Sequence, residues 1–241
     1  MQSIFSGAKK YISEQIESSK IINTPCEYSV VDNFLPEKLF NQVSLNWPSE
    51  VMIPIPETGR TRKYNERKVM LFQSNFLNNL DEVKRSFWLL MLNTLISPEV
   101  INSCYHKFKN TLDKRVLHLG GIGKISSEML IVSDSNNYAI GPHTDSRSRF
   151  ISLLLYLSKD SKYQNSGTCF YQPRDKKMSV QHLKHHKFND FSLEKRIKYM
   201  PNRLVIFPRT DLSYHGVENI EIDECDRRLI IVNIKAPEGA K

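Results

Sequence analysis

The 241 residues, 40% of them hydrophobic, can bury a sizeable core and suit one large domain or two small ones, with one as the default. No run approaches the roughly 20 consecutive apolar residues of a membrane span. The opening MQSIFSGAKKYISEQ also lacks the apolar stretch of a secretory signal, so a cytoplasmic protein with no membrane partner is expected. The net charge of +8 would attract anionic partners, but Lys and Arg are spread along the chain with no arginine-rich arm, which disfavours nucleic acid. Cys26, Cys104, Cys169 and Cys225 form no CxxC pair, which argues against a zinc knuckle or a disulfide framework and for ordinary buried thiols.

In chain order, Ile4, Phe5, Ala8, Ile12 and Ile16 recur at near-helical spacing and predict an amphipathic helix over 3–18. Tyr28 to Val31 reads as a strand. Asp32-Asn33-Phe34-Leu35-Pro36-Glu37 then supplies a cap and a first-turn proline for a helix reaching about Trp47. Asp81 to Leu95 is the most strongly apolar helical segment, and Ser97-Pro98 opens another that reaches about Phe108. Residues 1–120 are thus expected to be mostly helical support with one early strand.

After Gly120-Gly121 the texture changes to short β-rich runs separated by turn residues, at 128–132, 138–143, 150–157, 168–171, 203–207 and 228–234. Helices first and strands afterwards argue for a mainly β core buttressed on one face, an α+β chain forming one domain over 1–241 with its core at 121–241. The connection 158–202 is long. Its basic stretch Lys176 to Phe191 reads as a lid or insertion. Within it His182, His185 and His186 have no regularly spaced Cys or acid beside them and read as solvated loop residues.

In Gly141-Pro142-His143-Thr144-Asp145 a His and an Asp stand two apart at the end of a β run, where strand geometry points both to one face. His215 follows the apolar strand Leu204-Val205-Ile206-Phe207, and a sheet fold can bring it beside that pair. Two imidazoles and a carboxylate make the facial triad that suits non-heme iron(II) and leaves positions open for other ligands. A lone H-x-D is weak, because a histidine bonded to a nearby aspartate is an ordinary structural feature. The order of strand, H-x-D, apolar strand, Gly-Thr, distant His and trailing Arg is more specific.

On GPHTD (141–145), LLLYL (153–157), GTCFY (167–171), NRLVIFPRT (202–210), YHGV (214–217) and RRLIIV (227–232), the sequence resembles the 2-oxoglutarate/iron(II)-dependent oxygenase superfamily, in its prolyl 4-hydroxylase-like branch. The likeness covers roughly 125–235, with a weaker echo in VVDNFLPEKLF at 30–40. It implies a double-stranded β-helix (jelly roll) with the helical N-terminal half packed on one sheet. It further implies iron(II), 2-oxoglutarate and dioxygen, with succinate and carbon dioxide released. By position it makes His143, Asp145 and His215 the metal ligands and the catalytic set, and puts Tyr156 beside the distal carboxylate of 2-oxoglutarate, with Tyr138 also close to the pocket. A carboxylate at Asp145, where related halogenases carry a small residue, argues for hydroxylation.

Of Arg227 and Arg228, which must point oppositely in a strand, Arg227 is the expected grip on that carboxylate. Its face also carries Asn233, which suits a hydrated pocket, whereas Ile230, Val232 and Ile234 on the other face suit packing under helices. The expected substrate is a small molecule or a peptide side chain, and the oligomeric state is not readable. Two alternatives stand beside this reading. A nucleic-acid dealkylase of the same superfamily would carry a second arginine six positions after the first, where this chain has Asn233 or Ile234. A noncatalytic jelly-roll binding protein needs no redox chemistry.

Overall fold

The structure, a computed structural model, describes residues 2–55, 64–121, 123–157, 161–175, 178, 185–222 and 225–236. Its helices are α1 (Gln2–Phe5), α2 (Ala8–Ser18), α3 (Glu37–Leu45), α4 (Ser74–Leu77), α5 (Glu82–Leu95), α6 (Pro98–Lys107) and α7 (Lys109–His118). Local chemistry sets several of their ends. Asp81 accepts a hydrogen bond from the Lys84 amide at 2.8 Å to cap α5, and Ser97 caps α6 with Pro98 in its first turn. The single helix expected over 3–18 is divided at Gly7, whose φ of 73° lies in the left-handed region that breaks a helix.

The strands are β1 (Ile21–Ile22), β2 (Tyr28–Val31), β3 (Ile53–Ile55), β4 (Tyr64–Leu71), β5 (Ser126–Asp134), β6 (Ile140–His143), β7 (Arg149–Tyr156), β8 (Cys169–Pro173), β9 (Phe191–Arg196), β10 (Arg203–Pro208), β11 (His215–Val217) and β12 (Arg227–Lys235). They form an eight-stranded sheet in the order β1-β2-β10-β7-β12-β5-β4-β3 and a four-stranded sheet in the order β6-β11-β8-β9. All pairings are antiparallel, and the two-sheet arrangement is the jelly roll expected. The N-terminal half contributes more than helical support, because β1 to β4 extend both edges of the large sheet. β4 escaped the sequence reading because YNERKVML carries three consecutive charged residues and breaks the apolar alternation.

Two cores follow from the period-2 faces of the large sheet. On its outer face Ile131, Leu153, Leu155, Ile230 and Val232 pack against helical residues such as Ile12, Leu39, Trp88 and Leu95. Each such fully buried side chain contributes about 1.5–3 kcal/mol. Trp88, wholly buried, satisfies its indole by donating to the Asn46 carbonyl at 2.6 Å. Between the sheets lie Tyr28, Val132, Tyr156, Phe170, Phe207 and Leu229. β12 therefore presents Ile230, Val232 and Ile234 to the helices and turns Arg227, Leu229, Ile231, Asn233 and Lys235 towards a cavity on the other side.

Candidate metal centre and cavity

β6 and β11 pair so that His143 lies opposite His215, and their rings stand 4.4 Å apart, centre to centre. The close approach depends on Gly216, where a Cβ would fall 2.5 Å from the Ile140 carbonyl oxygen. Asp145 lies just past the end of β6. Its main chain is held by Arg209, whose Nε donates to the Asp145 carbonyl at 3.2 Å, and its side chain receives the Ser152 hydroxyl at 2.7 Å and an ion pair from Arg149. One ligand atom from each of His143, Asp145 and His215 falls within 4.8 Å of the others.

The donor chemistry of this trio fits a metal ion. Nδ1 of His143 is 2.9 Å from the Gly141 carbonyl, and Nδ1 of His215 is 3.0 Å from the Ser213 carbonyl. A carbonyl only accepts, so both Nδ1 atoms carry the hydrogen and both Nε2 lone pairs are left for a ligand, as in most metal-binding histidines. Burial, reinforced by the His215 imidazole, pushes His143 well below its ordinary value, so it is neutral and able to ligate. Burial alone would raise the Asp145 carboxyl, but Arg149 and the two histidines outweigh it and hold that group well below the usual carboxylate range. Two imidazoles and one carboxylate are the donor set that suits iron(II) with open positions.

The trio lies in the wall of a cavity of about 340 Å³ between the two sheets. A larger groove of about 710 Å³ runs over α2 and α6 and contains none of these residues. At one end of that cavity Arg227, 1% exposed, donates to Asp134 and to the Ser166 carbonyl, each at 2.5 Å. Asp134 also accepts two bonds from Arg67, at 2.6 and 2.9 Å, because Arg67, Asp134 and Arg227 stand in one row across β4, β5 and β12. Among the described residues one carboxylate thus stands between two guanidinium groups at that end. Arg228 points the other way, pairs with Asp226 and covers the Trp47 ring at 4.8 Å.

Tyr138 lines the cavity beneath the Arg67 guanidinium, 4.2 Å from its ring centre. Tyr156 is fully buried, and its hydroxyl donates to the Thr168 side chain and accepts from the Thr168 amide, both at 2.8 Å. It is Thr168 that reaches the cavity wall.

Sequence reasoning missed Arg67, Asp134, Thr168 and Arg149. Asp134 did carry a signal, a charge just beyond the apolar run Met129–Val132 of its strand. The expectation of solvated histidines at 185 and 186 is corrected. His185 lines the cavity with its ring 4.7 Å from that of His143, and His186 is buried against Phe191 and Tyr214. The cause is a main-chain strap. The His186 amide donates to the Pro142 carbonyl at 2.9 Å, and Gly141 admits it, since a Cβ there would sit 2.2 Å from the His186 carbonyl oxygen. Of the expected lid at 176–191, Met178 and 185–191 are described and the remainder, including His182, lies outside the described residues.

Residues 129–235 match the model of the 2OG-Fe(II) oxygenase superfamily. This segment is a 2OG-Fe(II) oxygenase domain. The family matched there is one of 2-oxoglutarate-dependent oxygenases, with iron(II) as cofactor and 2-oxoglutarate and dioxygen as cosubstrates. The chain's fold is shared with a prolyl hydroxylase from Trichoplax adhaerens, solved in complex with a hypoxia inducible factor oxygen degradation domain peptide fragment. The TM-score is 0.58 at 15% identity, over 97% of this chain and 91% of that one. It is shared also with a prolyl-4-hydroxylase from Pseudomonas putida, with a TM-score of 0.55 at 14% identity over 94% and 99% of the two chains. A search of curated proteins returns no match. No helix among the described residues is long and apolar enough to cross a membrane.

Proposed function

We propose that the chain is an iron(II)- and 2-oxoglutarate-dependent oxygenase, and specifically a hydroxylase acting on an unactivated carbon of a metabolite or a peptide side chain, with His143, Asp145 and His215 holding its iron. The observation that carries the reading is the pair of Nδ1–carbonyl bonds, which leave two Nε2 atoms for the site shared with Asp145. When bound, iron(II) supplies the redox chemistry that consumes 2-oxoglutarate and dioxygen, yields succinate and carbon dioxide, and delivers oxygen to carbon.

The chain's own residues bind, orient and exclude water. Arg227 takes the distal carboxylate of 2-oxoglutarate, charge on charge in a buried setting, with Asp134 holding the guanidinium in place. Tyr156 orients Thr168 towards that end, and Tyr138 closes the wall beside Arg67. Leu130, Leu154, Val217 and Leu229 form an apolar lining that keeps water away from the carbon to be oxidised. A carboxylate at Asp145 supports hydroxylation over chlorination. Four free, buried cysteines suit the reducing cytoplasm.

A succinate-release screen over proline-containing and other peptides, free amino acids, sugar and natural-product intermediates and alkylated nucleic acid tests the reading. Iron-dependent stimulation by a peptide or metabolite class is expected. Stimulation by alkylated nucleic acid alone would move the chain to the dealkylases, and the absence of iron-dependent 2-oxoglutarate turnover would refute the reading entirely.

A further inference from the structure

The end of the cavity away from Arg227 differs in kind from the apolar wall. It is lined by Ser146, Ser148, Arg149, Ser152, Asn233 and Lys235. Three buried polar atoms on this same wall have no hydrogen-bond partner among the described residues: Asn233 Oδ1, Thr144 Oγ1 and Arg149 Nε. Asn233 is 2% exposed and Thr144 1%, so these atoms have little access to bulk water. An unmet buried acceptor costs on the order of 1–3 kcal/mol and calls for a partner.

The orientation of Asn233 is fixed by chemistry. Its Nδ2 donates to Glu128 Oε1 at 2.8 Å, and Glu128 is itself paired with Lys235 at 2.6 Å. A carboxylate paired with an ammonium only accepts, so the amide cannot turn its oxygen to Glu128. The cross-strand neighbour on the other side, Ser152, cannot supply the missing donor either, because its hydroxyl is given to Asp145 Oδ2 at 2.7 Å. Asn233 Oδ1 is thus a fixed acceptor one side chain away from the carboxylate of the metal trio. Arg149 offers the complement, since its Nη1 pairs with Asp145 while its Nε stays unused.

We infer that Asn233, with Arg149, is the specificity-determining subsite for the primary substrate, and that it takes a polar substrate presenting an O–H or N–H donor to Asn233 Oδ1 and an acceptor to Arg149 Nε. The inference rests on the hydroxylase reading above and deepens it by naming the substrate chemistry. Secondary amides and sugar-type hydroxyls both offer the required donor and acceptor, and matched probes distinguish them. Wholly apolar substrates leave three buried groups unmet and are rejected, as sites built around hydrogen bonds reject analogues that lack them.

The test uses two probe pairs. N-acetylproline methylamide is paired with N-acetylproline dimethylamide, and methyl glucopyranoside with its fully O-methylated ether. Dissociation constants are measured by calorimetry under argon with iron(II) and 2-oxoglutarate present. In the unmodified protein the donor-bearing member of one pair is expected to bind roughly 5- to 100-fold more tightly than its methylated mate. Asn233→Leu should abolish that preference, and the double variant Glu128→Gln with Asn233→Asp, which keeps an acceptor facing the cavity, should retain it. If Asn233→Leu does not fold, the double variant carries the test alone.

Equal binding of both mates, no binding by either donor-bearing probe, a preference that survives Asn233→Leu, or its loss in the double variant would each overturn the subsite. Succinate formation by the unmodified protein without any probe separates the two levels of the argument. If that iron-dependent background is absent the hydroxylase reading falls, and if it is present while the preference is missing only the subsite does.

Discussion

Replacing Asp134 by Asn leaves two guanidinium groups in one row of the large sheet with no carboxylate between them. Asp134 is fully buried and accepts one bond from Arg227 and two from Arg67. Arg227 is 1% exposed and retains the Ser166 carbonyl as its hydrogen-bond partner among the described residues after the change, whereas the Arg67 side chain is 14% exposed and can be rehydrated in part. Removing the central partner of such a buried cluster costs about 3–5 kcal/mol. Arg67→Met should cost less, on the order of 1 kcal/mol, since Asp134 keeps Arg227 and one end of the removed pair was partly wet. Urea unfolding of the two variants, and a double-mutant cycle between Asp134 and Arg227, measure the asymmetry, with a coupling of about 2 kcal/mol or more expected. Equal costs for Asp134→Asn and Arg67→Met, or additive costs in the cycle, would refute the clamp.

Arg227→Ala should weaken 2-oxoglutarate binding by about 2–5 kcal/mol and Arg228→Ala should not, as read by calorimetry; the reverse pattern would place the cosubstrate elsewhere. Gly141→Ala puts a Cβ 2.2 Å from the His186 carbonyl and should displace the strap that sets His185 against His143, lowering the melting temperature and the metal affinity together. An unchanged protein would mean that β6 yields freely. For Glu128, Lys235 and Asn233 outweigh burial and hold the carboxyl below its ordinary 4.5. The stability it contributes is therefore full above about that pH and lost as pH falls through the lower folded value, so Glu128→Gln should flatten the acid limb of stability against pH. Burial pushes the Cys26 thiol up to about 12 and raises Cys104 and Cys225 as well, so the folded protein should resist a thiol reagent at neutral pH and expose four reactive thiols on unfolding.

The clustering of His143, Asp145 and His215 was legible because it combines a short-range pattern with long-range order. His143 and Asp145 are two apart, and an apolar run followed by a turn brings His215 back to the neighbouring strand. The facing of β12 was legible too. Ile230, Val232 and Ile234 mark the helix-packed side, so Arg227 and Asn233 had to share the other. What stayed hidden depended on pairing across long separations. Arg67 lies on a charged edge-side strand whose β character comes from its register with β5, and Asp134 acquires its meaning only between Arg67 and Arg227. His185 was hidden by a main-chain bond to Pro142 that no side-chain pattern announces. His143 and Asp145 do converge, but not through the alternation argued for H-x-D. Asp145 lies beyond the end of β6 and is aimed by Ser152, Arg149 and Arg209 instead of by strand parity.

The most direct test of the account is the stoichiometry of iron(II) binding under anaerobic equilibrium dialysis, read alongside iron-dependent conversion of 2-oxoglutarate to succinate. One iron per chain is expected for the unmodified protein, with both binding and turnover lost in His143→Ala and in His215→Ala, since each removes one of three protein ligands. Stoichiometric binding and full turnover surviving in either variant would contradict the assignment of this site.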